Sequence, residues 1–245
     1  MGTLTTKLKN DISAVECTVN DCKISFEHSE GEGAEVRYTR GVSVYTDKAE
    51  GKLIIRQKRG LLTRIIFGNE SEVKIAVPGH IVPRVLIRGT RAECYIEGGI
   101  YGEVEFAAAG GSLSAEGAAM ESCTINSADC NTHLADCTVK GNVVTNTEKG
   151  DVSLEHTFAT HTACRTKSGN IGAVELNCKD TIFEVGEGNV TATVLGDEST
   201  FDVIVNAKEG TCNKESLNIE NNECSFKAYV QKGNIFVDFV DDKEN

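Results

Sequence analysis

The sequence predicts an all-β fold: a single-stranded β-helix, or β-solenoid, with coils of about 19 to 23 residues. Three observations predict it. A turn phrase recurs as Gly150-Asp151-Val152, Gly169-Asn170-Ile171, Gly188-Asn189-Val190, Gly210-Thr211-Cys212 and Gly233-Asn234-Ile235, at steps of 19, 19, 22 and 23 residues. Alternating runs flank each copy, the period-two signature of strands. The composition agrees, with two prolines, no tryptophan and twenty-four glycines in 245 residues. No stretch holds a helical period, so helix should be nearly absent. Self-similarity at a short fixed step means that one coil of backbone is stacked on the next.

Upstream the register continues in degenerate form through Gly111-Ser112-Leu113, Cys130-Asn131-Thr132 and, more loosely, Ala92-Glu93-Cys94, so the repeat runs from about residue 85 to 240. Seven and five residues before each turn lie Val85 and Ile87, Val104 and Phe106, Cys123 and Ile125, Val143 and Thr145, Thr162 and Cys164, Thr181 and Phe183, Val203 and Val205, Phe226 and Ala228. Nearly all are apolar or β-branched, as an inward stripe requires. After the turn a second stripe follows through Cys94 and Ile96, Leu113 and Ala115, Val152 and Leu154, Ile171 and Ala173, Val190 and Ala192, Ile235 and Val237. A third, shorter stripe is expected through Cys137, Phe158, Leu176, Leu195 and Leu217, closing a roughly triangular section.

Coils paired in parallel stand about 4.8 Å apart, so equivalent residues form ladders. The turn phrase then has a physical purpose. Glycine supplies the positive φ of a sharp corner, and the next position holds Asn131, Asp151, Asn170, Asn189 and Asn234, whose side chains can bond backbone or the same residue one coil away. This column is expected to be structural.

The first 75 residues are less regular. Val15, Cys17 and Val19 lead into Asn20-Asp21-Cys22-Lys23-Ile24, and Val36 and Tyr38, Val42 and Val44, Leu53 and Ile55, then Val73, Ile75 and Val77 give further alternation. Residues 1–84 are expected to form the first coils and their cap, with a basic and apolar hairpin inserted. Residues 85–245 carry the repeats, continuous with them in one structural domain. Asp241, Asp242 and Glu244 follow the last strand and are expected to discourage end-to-end growth.

These motifs carry a resemblance to a known family. Asn20-Asp21-Cys22-Lys23-Ile24, Gly51-Lys52-Leu53-Ile54-Ile55, Val73-Lys74-Ile75-Ala76-Val77-Pro78, Thr166-Lys167-Ser168-Gly169-Asn170-Ile171, Phe201-Asp202-Val203 and Gln231-Lys232-Gly233-Asn234-Ile235 follow one another in the matching course. The chain resembles the bacterial putative-adhesin family, whose common domain carries an unknown-function label. The resemblance covers most of the chain and implies a right-handed β-helix, with little chemistry. The glycine missing from Cys130-Asn131-Thr132 and the ten cysteines depart from the family pattern.

The cysteines are expected to be small, reduced core residues. Cys94, Cys123, Cys164 and Cys212 stand where other coils place Val, Thr or Ile, and no Cys-x-x-Cys pair offers a zinc site. His28, His80, His133, His156 and His161 form no metal-spaced set, and no Ser-His-Asp, P-loop or calcium-nonapeptide signature is present. No catalytic residue, metal or cofactor is therefore assigned.

Five residues after the turns lie Glu97, Glu116, Glu155, Glu215 and Asp238, a candidate acidic face. Glu97 and Glu116 would stand on neighbouring coils about 5 Å apart, near the carboxylate separation of retaining glycosidases. The alternative function is accordingly a carbohydrate-active β-helix enzyme using these outward carboxylates.

A net charge of -12 opposes a phosphate backbone, so nucleic acid is not an expected partner. One segment runs against this trend. Arg56, Lys58, Arg59 and Arg64 crowd around Leu62, Ile66 and Phe67, a candidate contact for a membrane surface, for a partner protein or for self-association. Membrane contact is expected only through residues 56–67. The preferred expectation is a noncatalytic scaffold or adhesion-type module presenting polar faces to a protein or glycan partner. The opening Met1-Gly2-Thr3-Leu4-Thr5-Thr6-Lys7 has no apolar export core. As it stands the sequence is expected to be cytoplasmic, and at the cell surface if an anchor precedes it.

Overall fold

The computed structural model describes residues 3–8, 12–29, 33–57, 71–78, 82–217 and 222–241. One 18-stranded sheet winds through them, and their helical content is a 3-10 turn at Glu198–Thr200. The body is a stack of β8 (Val82–Glu97), β9 (Ile100–Glu116), β10 (Ala119–Ala135), β11 (Thr138–Lys149) with β12 (Val152–Glu155), β13 (Phe158–Ser168), β14 (Ile171–Glu187) and β15 (Val190–Leu195). Coils pair in parallel, setting Val85 on Val104, Val104 on Cys123, Cys123 on Val143, Val143 on Thr162 and Thr162 on Thr181.

A coil bends three times. In the β11–β12 coil the register against β13 slips between Val139 and Asn142, and the backbone turns again at Gly150 (φ 128°) and at His156 (φ 45°). At the glycine corner a second constraint joins the positive φ. A Cβ on Gly150 would stand 2.1 Å from the Cys130 carbonyl oxygen, and one on Gly169 would stand 2.1 Å from that of Gly150. The corner admits no side chain because the coils approach too closely there.

The neighbouring Asn column works as a ladder. The amides of Asp151, Asn170 and Asn189 donate to Oδ1 of Asn131, Asp151 and Asn170 at 2.9, 2.6 and 3.0 Å. Asn234 continues it by donating to Asn189 Oδ1, and the Thr211 amide in turn donates to Asn234 Oδ1 at 3.1 Å. Each step satisfies a corner N–H that the strand ladder leaves over.

Every residue of the first two inward stripes is buried. Full burial of each Val, Ile or Phe among them contributes about 1.5–3 kcal/mol. The third stripe needs correction. Cys137 and Leu176 are buried, but Leu195 is only partly so, and Phe158 and Leu217 are 45% and 41% exposed. Phe158 pairs with Thr138 and Asn177 on the outward column, which turns Thr157 inward. The Thr157 hydroxyl donates to the Leu134 and Glu155 carbonyls at 3.2 and 3.1 Å, which satisfies it in the core.

The coil order at the C-terminal end also differs from chain order. The steps of 22 and 23 residues suggest that residues 201–209 stack on 188 and residues 224–240 stack last. Instead β17 (Cys224–Lys232) and β18 (Ile235–Val240) pair directly on β14 and β15, and β16 (Phe201–Glu209) lies outside them on β17. The chain overshoots by one coil and returns to fill the gap. Phe226 meets Phe183 edge-on at 5.7 Å and Phe239 at 6.2 Å, sealing this end of the core.

The other end repeats the device. β2 (Ala14–Val19) and β3 (Cys22–Ser29) are sandwiched between β8 on one side and β6 (Lys52–Gln57) and β7 (Ser71–Pro78) on the other. Beyond them β4 (Ala34–Thr39) and β5 (Val42–Asp47) run antiparallel to β7 and β6, and β1 (Thr3–Leu8) runs antiparallel to β4. Residues 34–47 therefore form a cover of opposite direction rather than another coil.

The outermost C-terminal strand is β16; of the three acids expected to guard the terminal edge, only Asp241 is among the described residues, directly after β18. The edges are closed otherwise. Val203 exchanges N–H···O bonds with Leu217, both at 2.8 Å, and the Ser216 hydroxyl bonds both backbone groups of Val205. Asn213 clamps the Val237 N–H and C=O with its amide at 2.8 and 3.0 Å.

Candidate functional site

The outward residues four and two positions before each turn form adjacent columns. The first runs Asn126, Asn146, Arg165, Glu184, Tyr229, as fixed by the pairings of β10, β11, β13, β14 and β17. The second contains Glu148, Lys167, Gly186 and Gln231. Between them, over the backbone of the buried Thr147, Thr166 and Val185, lies a groove of about 530 Å³ along the stack that also touches Ser127.

Its depth has a local cause. Gly186 contributes no side chain between Lys167 and Gln231, and a Cβ there would stand 2.3 Å from the Lys167 carbonyl oxygen. The notch is fixed by the backbone. The floor threonines spend their hydroxyls on main-chain carbonyls, Thr147 on Lys149 at 2.7 Å and Thr166 on Gly150 at 3.2 Å. Both side chains are buried, so the groove passes over their backbone.

The walls are charged yet neutral in sum. Arg165 Nε donates to Glu184 Oε2 at 2.8 Å, and Lys167 pairs with Glu148, whose carboxyl it holds below the usual range by its hydrogen bond and charge. Asn146 Nδ2 donates to Asn126 Oδ1 at 3.0 Å. Two cations thus meet two carboxylates in a row of pre-oriented donors and acceptors, with one aromatic ring, Tyr229, toward the β17 end.

The acidic column is only partly brought together. Glu97 pairs in register with Glu116, and with Glu27 on the other side, so three carboxylates stand in succession. Ala135 separates Glu116 from Glu155, and Val174 follows Glu155. Asp238 faces Thr193 two coils further on, and Glu215 lies outside the ladder in the segment that leads to the β16 edge. The run stands on an exposed strand face, away from the groove.

Of the basic segment, Arg56 is exposed on β6 with its guanidinium 5.6 Å from the Tyr45 ring centroid. Lys58, Arg59, Leu62, Arg64, Ile66 and Phe67 lie outside the described residues. A third cluster escaped the sequence reasoning: Asp136, His156 and Glu175 occupy one corner column at positive φ, with His156 Nδ1 3.4 Å from Asp136 and Nε2 3.6 Å from Glu175. Among the described residues no group of three or more His, Cys, Asp or Glu side chains is placed to hold a metal ion.

Residues 12–245 match the profile of the Toastrack DUF4097 family. The chain belongs to that family. Its fold also has a counterpart among solved structures. A putative adhesin from Bacteroides fragilis NCTC 9343 is 9% identical, with 98% of this chain and 97% of that chain covered and a TM-score of 0.52. A putative adhesin from Parabacteroides distasonis ATCC 8503 is 12% identical over 98% and 96% of the two chains, with a TM-score of 0.39. No curated protein matches this chain.

In this Toastrack chain the groove residues were readable in one respect only. The turn register places Asn146, Arg165, Glu184 and Tyr229 outward in one column. Nothing local says that they flank a notch, because the notch depends on the neighbouring column and on the approach of Gly186 to the coil beside it. No helix among the described residues is long and apolar enough to cross a membrane.

Proposed function

We propose that this protein is a noncatalytic binding module of adhesion type, whose contact surface is the groove between the Asn146–Tyr229 and Glu148–Gln231 columns. The observation that carries the proposal is the internal neutralisation of that groove. Arg165 is engaged by Glu184 and Lys167 by Glu148, so the charged groups act as fixed donors and acceptors. A reacting carboxylate would need a raised pKa and an approach to substrate, whereas Lys167 holds the Glu148 carboxyl below the usual range. A concave site and a row of convergent polar groups coincide here, as expected of a recognition surface.

The Bacteroides fragilis structure is described as a putative adhesin, and its shared fold supports the same class of role. The carbohydrate-active alternative would place chemistry at Glu97 and Glu116, which are exposed on a strand face outside this groove. The test is a binding screen of the full chain against immobilised glycans and extended peptides, repeated with Gln231→Trp to fill the notch. Binding abolished by that change is expected. Hydrolysis of any glycan, lost on Glu116→Gln, would overturn the proposal.

A further inference from the structure

We infer that the groove takes an uncharged, polyhydroxylated chain, a neutral oligosaccharide, laid along the stack with one ring against Tyr229. This rests on the groove being the contact surface and adds the chemistry of what fills it.

Charge is the first argument. The lining cations and carboxylates cancel in pairs, Arg165 with Glu184 and Lys167 with Glu148. An acidic ligand would have to break a pair to find a cation, within a chain of net charge -12 that repels it at a distance. A basic ligand would be drawn instead to the Glu27, Glu97 and Glu116 run. A neutral ligand needs neither concession. Its hydroxyls both donate and accept, which matches amides and ion-paired side chains whose remaining lone pairs and N–H groups point outward.

Backbone is the second argument. β11, β13 and β14 are each paired on both sides along the groove, so no strand edge is open to a peptide seeking main-chain bonds. A peptide would meet side chains only. Shape is the third: the groove spans successive coils at about 4.8 Å each, close to the step of a pyranose ring, so one sugar meets one coil. The ring of Tyr229 suits the C–H face of a sugar, and the volume of about 530 Å³ suits a short oligomer.

The test is calorimetric titration of the full chain with neutral gluco-, manno- and N-acetylglucosamine oligomers, with uronate oligomers, and with acidic and basic peptides. At least one neutral oligomer is expected to bind, with an affinity that changes less than about twofold between low and high salt. Tyr229→Ala and Gln231→Trp should each weaken it by about tenfold or more, with melting curves like wild type, while the remote Glu93→Gln leaves it unchanged. A uronate or peptide that binds and is lost in both variants overturns the neutral ligand and leaves the groove as the contact surface. No binding, or binding that neither variant changes, overturns both.

Discussion

Asn189 and Asn234 are 45 residues apart in the chain and adjacent in space: the Asn234 amide donates to Asn189 Oδ1 at 2.9 Å and its Nδ2 to the same oxygen at 3.3 Å. The final coil of the chain is thereby an interior coil of the stack. Ending the chain at residue 222 should remove β17 and β18, open the faces of β14 and β15, and leave β16 with no parallel neighbour. Hydrogen exchange is expected to show loss of protection over 201–217 while residues 85–150 stay protected. Retained protection at 201–217 would mean that the coils stack in chain order.

Glycine corners differ in what they tolerate. Gly188→Ala puts a Cβ 2.0 Å from the Gly169 carbonyl oxygen at a φ of 143°, and should cost about 3 kcal/mol or more. Gly117 has open space at φ 62°, in the column where Asp136, His156 and Glu175 already adopt positive φ. Gly117→Asp should cost only about 1 kcal/mol. Urea denaturation midpoints of the two variants compare them directly.

The ladder makes a charge-dependent forecast. Asn170→Ala removes the acceptor of the Asn189 amide and the donor to Asp151, for a loss of about 1–2 kcal/mol. Asn170→Asp keeps the acceptor but stacks a carboxylate on that of Asp151. It should therefore regain stability as the solution is acidified and the repulsion is titrated away, whereas Asn170→Ala should not.

Thiols set an alkaline limit. Burial pushes Cys22, Cys123 and Cys164 up to about 12 and Cys130 to about 11, from an ordinary 9.0, and raises Cys17 and Cys94 too. The folded chain holds these protons where the unfolded chain releases them. Stability should thus be full below pH 9.0 and fall above it, by about 1.4 kcal/mol per pH unit for each such thiol. Cys123→Val, matching Val104 and Val143 in its column, should make the decline shallower. In the native protein the half-buried Cys212 and Cys224 should react with thiol reagents before the buried eight.

The closed edges can be opened. Asn213→Ala together with Ser216→Ala frees the backbone groups of Val237 and Val205 that those side chains hold. Exposed strand edges recruit other chains. Light scattering should show concentration-dependent association in the double variant and a constant mass in the wild type.

Much of this architecture was legible because it is local and repeated. The corner glycines and the Asn131 to Asn234 column follow from a short period, and the two long stripes follow from alternation within each strand. The same logic assigned the cysteines to the interior, where eight of the ten lie; Cys212, expected there, and Cys224 are half-buried. Phe158 shows where it fails: the third side of a coil is short, so a one-residue choice between Thr157 and Phe158 rests on register against Thr138 and Asn177 rather than on a pattern long enough to read.

By itself, then, the sequence determined that the chain forms a β-solenoid, where it turns, and which side chains face inward, since each of these is a nearest-neighbour property that recurs. Only the tertiary structure decided the order of the end coils and the position of the groove. Every parallel coil edge presents the same backbone donors and acceptors, so chain order carries no signature of which edge a segment will join. Packing between distant side chains, such as Phe183 against Phe226 at 5.7 Å, makes that choice. The groove likewise exists only once the columns of Arg165 and Lys167 lie side by side over the bare step of Gly186.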